Sequence, residues 1–236
     1  EAVVKRGGGL DWLRGVLPKA RAFYDWLDAK RDPDRDGLIA VVQADETGLD
    51  HSPKFDALIG NPGLTLTEFT EGWKRVAHPY DSFARDHEKM FGLDHFIVED
   101  VMMNTIYVRN LQVLGALYDQ AGDPANAKAM RQRAGVGYQS LLTKCWSDER
   151  GLFFDLVGHR AEAHLTHAVT FTCLMPLLFP ELPEAIVKRL VAHLEDEKMF
   201  ATPYPVPSVA VSDPSFVPGV VGAKLVWRGP MWMSSN

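Results

Sequence analysis

The feature that most constrains the fold is a helical pattern over residues 94–120 that is apolar around most of its circumference. Two neighbouring stripes repeat there in steps of three and four residues. The first is Ile97, Val101, Asn104, Val108, Leu111, Gly115 and Tyr118, and the second is Phe96, Asp100, Met103, Tyr107, Asn110, Leu114 and Leu117. Because a helix with two such stripes is buried on most sides, other elements must surround it.

The segments that follow alternate between solvated and buried helices. After the turn AGDP, where Asp123 can cap and Pro124 can fill the first turn, a helix is predicted to about Lys144. Its apolar stripe is narrow: Ala127, Met130, Ala134 and Leu141. DERGLFFDL is typical of a turn and a short extended piece. Residues 166–178 then predict a buried helix, and residues 182–195 an amphipathic one.

The first part of the chain combines one helix with long connections. Residues 10–30 have apolar side chains at roughly helical spacing, and the turn signal RDPDRDG ends that helix. Residues 38–92 are rich in Gly, Pro, Asp and Thr, which indicates long loops with short helical pieces. Loops of this length inside a compact domain usually carry function.

The alternation of buried and solvated helices is typical of concentric helix layers. An α/α barrel produces such layers, and so does an α-solenoid. Because the sequence has no fixed-period repeat of the solenoid kind, the barrel is preferred to the solenoid, and the expected fold class is all-α. This fold would be a partial (α/α)6 toroid with long loops at one end and few short strands.

Charge and composition exclude several classes of partner. The formal net charge is −6, with acids and bases interspersed, so nucleic acid would be repelled. The longest apolar run, HAVTFTCLMPLLF, is too short to span a bilayer, and without a visible leader the default expectation is a cytoplasmic protein. Cys145 and Cys173 indicate buried free thiols. No phosphate loop, metal-binding histidine spacing or nucleophile elbow is present, so no cofactor or metal is expected, and no pattern indicates an oligomeric state.

The stretch ADETGLDHSP concentrates three carboxylates, Asp45, Glu46 and Asp50, in one short turn. Connecting loops gather at the ends of a barrel, so this acidic turn would lie across the mouth. Carboxyl pairs suit glycoside hydrolysis, in which one group protonates the leaving oxygen and another activates water. The spacing alone favours a structural interpretation, in which Asp45 and Glu46 are solvated and Asp50 caps a helix starting near Ser52.

Two motifs in register resemble a known enzyme family. DETGLDHSPKFD is similar to the E-S-G-x-D-N-S-P-x-x-D stretch of glycoside hydrolase family 63. WRGPMWMSSN, residues 227–236, resembles the W-R-G-P-x-W-x-x-x-N motif of the same family, and GLFFD and PVPSVAVSDPSF between them are similar too. The resemblance covers most of the chain and is strongest to the bacterial branch with mannosylglycerate and glucosylglycerate hydrolases. It implies an (α/α)6-barrel, exo-acting hydrolase.

The resemblance also implies roles for individual residues. Asp50 matches the general acid of the family, and like-charge repulsion from a neighbour such as Glu46 would help to keep it protonated. The implied sugar subsite consists of Glu46, Gly48, Asp56, Trp227, Arg228, Gly229, Trp232 and Asn236. Its tryptophans would stack on a sugar face, and Arg228 and Asn236 would donate to hydroxyls or to a substrate carboxylate. Core packing is the structural alternative for the tryptophans.

Three positions of the acidic turn depart from the family pattern. Thr47 replaces the usual Ser and keeps the hydroxyl. His51 stands where Asn or Asp is common, and Asp45 stands where the similar branch commonly has an aromatic residue. The last two neighbour the implied acid, so they bear on substrate preference.

The family's general base is a Glu downstream of the WRGP motif, and this sequence ends at Asn236. Twelve helices of about 15 residues with their loops would need roughly 350 residues. We therefore expect residues 1–236 to be a single (α/α)6-barrel catalytic domain that is incomplete at both ends. This fragment of an inverting α-glycosidase would carry the acid, lack the base and have little activity alone. Its substrate would be a small glucoside or mannoside such as a glycosylglycerate.

Two other functions stay open at this point. Related barrels include trehalase-like enzymes and oligosaccharide α-glucosidases, and a helical sugar-binding or scaffold protein would need no catalysis. Asp100 and Asn104 lie on the apolar stripes of the buried helix and must have partners there. A structural network is favoured over substrate contact for both.

Asp32, Asp34 and Asp36 before Gly37 mimic the start of a calcium loop. Gln43 stands where the closing bidentate Glu of such a loop should be. The pattern therefore favours a turn after a helix, with solvated acids.

Overall fold

A computed structural model describes residues 6, 9–60, 65–84, 86–93, 95–159, 162–218 and 227–229. Its helices are α1 (Leu10–Arg31), α2 (Leu66–Asp81), α3 (His87–Leu93), α4 (Val101–Ala121), α5 (Pro124–Ser140) and α6 (Glu184–Leu194). Shorter helical pieces are three 3₁₀ segments (Ala44–Thr47, Pro53–Phe55 and Phe171–Leu178) and a π-helical turn (Leu141–Cys145). The strands are β1 (Val98–Glu99), β2 (Trp146–Ser147), β3 (Leu152–Phe153), β4 (Leu156–Val157) and β5 (His164–Leu165).

Helix α4 is the buried element that its two stripes predict. The Asp100 carboxylate caps it by accepting the Met103 N–H at 2.8 Å, and Gly122 ends it in a left-handed conformation (φ 81°). Asp123 then caps α5, which begins at Pro124. The buried side chains of α5 are Ala127, Met130, Ala134 and Gly137. A helix buried over most of its circumference beside one that buries a narrow stripe makes two layers, as predicted.

Three element boundaries differ from the predictions. Helix α4 begins at Val101 and not near residue 94, because residues 98–99 pair as β1 and the next residue supplies the cap. Residues 166–170 are not helical, and the buried segment after them is a 3₁₀ helix that contains Pro176. The region predicted as long loops with short helical pieces contains α2, a helix of 16 residues whose start is fixed by a capping box between Thr65 and Glu68.

Two clusters of buried apolar side chains hold these elements together. The larger cluster joins α1, α4, α5, α6 and β3, and includes Leu13, Leu17, Leu111, Met130, Phe153 and Leu190. The smaller cluster lies under the acidic turn and includes Val41, Ala44, Phe55, Phe69, Tyr80 and Phe96. Cys145 and Cys173 are buried free thiols, as predicted. The acidic turn therefore rests on a core of its own.

The strands of the described residues are short and pair antiparallel. One sheet has the order β1-β4-β5 and the other joins β2 to β3, while a single bridge connects Val41 to Val98. The described part of the chain is all-α with few short strands and matches a partial (α/α)6 toroid. Among the described residues, no helix combines the length and the apolar character that a membrane crossing requires.

The turn after α1 approaches α5 so closely that two glycines meet. Gly37 has φ +85°, and a Cβ added there would lie 2.9 Å from the Gly137 backbone nitrogen. A Cβ added to Gly137 would lie 2.7 Å from the Gly37 carbonyl oxygen and 2.8 Å from Val108 Cγ2. No side chain fits at this contact without a shift of the backbone.

We predict that Gly137→Ala destabilises the protein by about 1–3 kcal/mol, because the methyl group overpacks the contact with Gly37. Gly135→Ala in the same helix is the matched control, since an added Cβ there meets no atom within 4 Å. The control substitution should stabilise the protein by up to about 1 kcal/mol, because alanine has a higher helix propensity than glycine. Urea unfolding with equal m-values measures both changes. Equal stability of the two variants would contradict the close approach.

Candidate active site

The acidic turn, residues 44–53, is held in shape by its own polar groups. Gly48 ends the first 3₁₀ segment with φ +71° and donates its N–H to the Asp45 carbonyl at 3.0 Å. The Thr47 hydroxyl donates to the Ala44 carbonyl at 2.6 Å and accepts the Leu49 N–H at 3.1 Å. Since a Cβ at Gly48 would meet no atom within 4 Å, the glycine serves the backbone conformation and not a close contact.

Lys54, directly after the acidic turn, is buried between two carboxylates. Its ammonium pairs with Asp100 and lies 3.1 Å from Asp155 Oδ2. Asp155 also accepts the Val101 N–H at 2.8 Å, so both carboxylates bind the first turn of α4. Burial works to lower the pKa of Lys54, but the two carboxylates outweigh it and raise that pKa. This triad fastens the acidic turn to the start of α4.

The structural network predicted around Asp100 and Asn104 is confirmed. The Asn104 side-chain amide accepts the Ile39 N–H at 2.7 Å and donates to the Ile39 carbonyl at 2.9 Å. It also donates to the Asp100 carbonyl at 3.0 Å. The segment that leads into the acidic turn is thereby bound to α4 as well.

Glu46 is bound to an arginine of α1. Arg31 donates to both carboxylate oxygens, at 2.5 and 3.0 Å, and the Val42 N–H donates to Oε2 at 2.9 Å. Glu46 and Asp45 line a groove of about 560 Å³ between α1 and α2, together with Trp26 and Arg31. Burial, followed by the charge of Glu46, raises the pKa of Asp45.

Asp50 stands apart from these ion pairs. Its side chain is 39% exposed, and its contact is His51, whose Nε2 lies 3.4 Å from Asp50 Oδ2. The short helix after the turn has Ser52 at its N-cap and no side-chain cap hydrogen bond. Asp50 therefore does not cap that helix, so the prediction of a capping role for it is wrong.

The two sequence motifs meet in one ion pair. Arg228 donates to both carboxylate oxygens of Asp56 at 2.5 Å, and the Arg228 side chain is only 4% exposed. Burial raises the pKa of Asp56, and the hydrogen bonds and charge of Arg228 oppose that shift. The guanidinium of the WRGP motif thus binds the last carboxylate of the DETGLDHSPKFD stretch.

Residues 206–218 form backbone hydrogen bonds with Arg228 and Gly229 of the WRGP motif. Ser208 N–H donates to the Gly229 carbonyl at 2.7 Å, and Val217 N–H donates to the Arg228 carbonyl at 2.7 Å. A Cβ at Gly229 would lie 2.3 Å from the Val217 carbonyl oxygen, so only glycine fits there. Trp227 has φ +63° and its ring lies 6.5 Å from that of Phe171.

Sequence reasoning identified part of this arrangement. Asp50, Glu46, Gly48, Asp56, Trp227, Arg228 and Gly229 all lie among the described residues, whereas Trp232 and Asn236 lie outside them. The sequence did not lead us to predict that Arg31, Lys54 and Asp155 position the acidic turn. A lysine inside an acidic motif and the Asp of GLFFD were the available signals for the last two.

A second acidic cluster follows α1. Asp32, Asp34 and Asp36 bring carboxylate oxygens within 4.8 Å of one another, the geometry needed to hold a cation. Lys144 supplies positive charge by pairing with Asp36 and lying 3.4 Å from Asp34. The turn is as predicted, but Asp32 is buried and accepts two backbone N–H groups, so the expectation of solvated acids is wrong for it. Burial raises the pKa of Asp32 to about 6.

Comparison with known proteins places this arrangement in an enzyme family. The whole chain, residues 1–236, matches the family model described as the mannosylglycerate hydrolase MGH1-like glycoside hydrolase domain. Over 247 residues it is 29% identical to a mannosylglycerate hydrolase of Thermus thermophilus, with 94% of this chain and 56% of that protein covered. The chain spans about half the length of the curated relatives that it matches.

Solved structures agree with the family match. One is the GH63 mannosylglycerate hydrolase of Thermus thermophilus in complex with glucose, with a TM-score of 0.78 and 27% identity over 95% of this chain and 54% of that one. The complex of that enzyme with Tris and D-glycerate has a TM-score of 0.78 and 25% identity over 95% and 56% of the two chains.

We predict that Lys54→Met destabilises the protein by about 3–5 kcal/mol, because it leaves Asp100 and Asp155 buried together without a cation. The loss should be larger at about pH 8 than at about pH 5, where protonation relieves the repulsion. Chemical denaturation at both pH values measures it. Lys74→Met, which removes an exposed pair with Glu71, should leave the midpoint nearly unchanged. A similar small effect at Lys54 would contradict the triad.

The ion pair between the motifs can be weighed by a double-mutant cycle. We expect Asp56→Ala and Arg228→Ala to show a coupling free energy of about 1.5–3 kcal/mol, since two charge-assisted hydrogen bonds join them at a buried guanidinium. The control cycle uses Asp119 and Arg131, whose side chains are about half exposed. That pair should couple by less than about 1 kcal/mol. Additive losses at Asp56 and Arg228 would contradict the contact.

Proposed function

This chain belongs to the mannosylglycerate hydrolase MGH1-like glycoside hydrolase family, and on that premise we propose that it forms the acid-bearing part of an inverting, exo-acting α-glycoside hydrolase. The observation that carries the proposal is the geometry of Asp50. Its carboxyl is partly exposed, caps no helix and lies in a turn that the Lys54 triad fixes to α4. A group so placed can reach a substrate oxygen without unfolding its support.

In the proposed reaction, Asp50 gives its proton to the glycosidic oxygen while the bond from that oxygen to the anomeric carbon breaks. Water attacks the opposite face of the sugar, and a second carboxylate takes the proton that the water releases. In inverting enzymes the two carboxyl groups stand about 6.5–9.5 Å apart to admit that water. The family resemblance assigns this base to a Glu downstream of the WRGP motif, and the chain spans about half the length of its curated relatives.

The proposed substrate is a small glucoside or mannoside such as a glycosylglycerate. The supporting observations are the names of the relatives, which are mannosylglycerate hydrolases, and a related structure that holds D-glycerate. A glycerate carboxylate calls for a cationic or donor-rich subsite. Arg228 is the cation that the WRGP motif brings to the acidic stretch, and its paired Asp56 holds the guanidinium plane in one orientation.

The remaining subsite residues are proposed from the same two motifs. Glu46 and the backbone at Gly48 would shape the rim near Asp50, while Trp227 and Gly229 would flank Arg228. Trp232 and Asn236 complete the proposed set. Trp227 is half-buried, so part of its ring is available for a sugar face.

We predict that Asp50→Asn in the full-length protein lowers kcat by about 10²–10⁴-fold, because a general acid contributes that much to a proton-dependent bond cleavage. Substrate affinity, measured by calorimetry with the variant, should stay within a few-fold of the wild type. Asp45→Asn is the matched control, since this exposed neighbour in the same turn is assigned no proton transfer. Its kcat should be nearly unchanged.

Two outcomes would overturn the proposed function. If Asp50→Asn keeps full activity, another group is the acid. If the wild-type protein binds α-glucosides and α-mannosides but hydrolyses none of them, the protein is a sugar-binding module. A preference for trehalose or oligosaccharides over glycosylglycerates would keep the mechanism and change the substrate.

A further inference from the structure

The imidazole of His51 is oriented by its surroundings. Its ring meets Phe69 of α2 edge to face, with 4.5 Å between ring centroids, and Phe69 is buried in the core under the turn. The His51 side chain is 17% exposed, compared with 39% for Asp50. The imidazole is therefore the fixed member of the pair, and the carboxyl is the member that faces solvent.

The position of the imidazole proton follows from hydrogen-bond accounting. His51 Nδ1 is buried and has no hydrogen-bond partner among the described residues, whereas Nε2 lies 3.4 Å from Asp50 Oδ2. A proton on Nδ1 would be a buried donor without an acceptor, which is costly. The tautomer with the proton on Nε2 is therefore favoured, and this N–H faces the Asp50 carboxyl.

Burial, assisted by the charge of Arg228, lowers the pKa of His51 and favours a neutral ring against the opposing charge of Asp50. Among the described residues, Asp50 and Arg228 are the charges that act on the imidazole, and Arg228 is in turn bound to Asp56. A neutral imidazole can donate one hydrogen bond to the carboxyl group of Asp50, and because it carries no charge it does not form an ion pair with that group.

We propose that His51 is the positioning residue of the general acid. This inference rests on the proposed function. Nε2–H faces Oδ2 of Asp50 at 3.4 Å and donates to it when the substrate is bound, so that Oδ1 carries the proton that goes to the glycosidic oxygen. As the bond to the anomeric carbon breaks, the leaving oxygen takes the electron pair and this proton, and Asp50 becomes a carboxylate. The hydrogen bond from Nε2–H strengthens as that charge forms, which stabilises the transition state more than the bound substrate.

A positioning role for His51 differs from a role in supporting the turn in how its loss depends on the leaving group of the substrate. A supporting residue affects every substrate of the enzyme alike. A residue that acts through the acid affects only substrates whose leaving group needs a proton. Glycosyl fluorides need no protonation, because fluoride leaves as an anion, so they separate the two roles.

The test uses the full-length protein and two substrates of one sugar, an O-glycoside such as mannosylglycerate and the matching α-glycosyl fluoride. His51→Phe keeps a ring against Phe69 and removes the donor. We expect its kcat/KM for the O-glycoside to fall by about 10–100-fold, a part of the general-acid contribution, and that for the fluoride to stay within about twofold.

His51→Asn is the second variant, since its amide restores an N–H donor at the same position. It should recover most of the O-glycoside activity that His51→Phe loses, and circular dichroism checks that both variants fold. Equal losses on both substrates, or no loss on either, would overturn the positioning role. Asp50→Asn serves as the reference. If it spares the fluoride and His51→Phe does not, only the inference fails; if it shows no leaving-group dependence, the proposed acid itself fails.

Discussion

The ammonium of Lys54, buried between Asp100 and Asp155, ties together three parts of the chain that are far apart in sequence. Lys54 belongs to the DETGLDHSPKFD stretch, Asp100 caps α4, and Asp155 follows β3 in the chain. Such a triad is stable only when every charge has a partner, because a single buried charge is severely penalised. The turn can therefore take one position relative to α4, and everything that the turn carries is placed with it.

A second constraint joins the two motifs across 172 residues of sequence. The Arg228 guanidinium binds Asp56 through two parallel hydrogen bonds, and the backbone on either side of it is bound by residues 206–218. Planar, bidentate pairing fixes orientation as well as distance. Together with the Lys54 triad, it means that the site is assembled by buried charges at the ends of helices, while apolar packing holds the helices themselves.

Much of this architecture could be read from the sequence, and the exceptions have physical reasons. The stripes of α4 and α5 were sufficient to predict buried and solvated layers, because period and burial are linked. The start of α4 was misplaced because the apolar residues before Asp100 continue the pattern as a strand. The length of helix α2 was missed because the Gly, Pro, Asp and Thr content of residues 38–92 indicated loops with short helical pieces, although the capping box at Thr65 and Glu68 could be read from the sequence. The sequence marks Lys54, Asp100 and Asp155 individually but does not show that they pair, since pairing at that separation depends on the whole fold.

The carboxylates of the DETGLDHSPKFD stretch differ in the side chains that they contact. Glu46 and Asp56 are each held by an arginine that donates to both carboxylate oxygens, which suits a group that orients or binds. In the part of the chain that the structure describes, no lysine or arginine pairs with Asp50; its neighbour is an imidazole. A group that must release a proton to a substrate cannot be locked as a carboxylate by a permanent cation. Asp45 differs from Asp50 in its surroundings, because it faces the groove beside Glu46, whereas Asp50 lies against a ring that can donate to it.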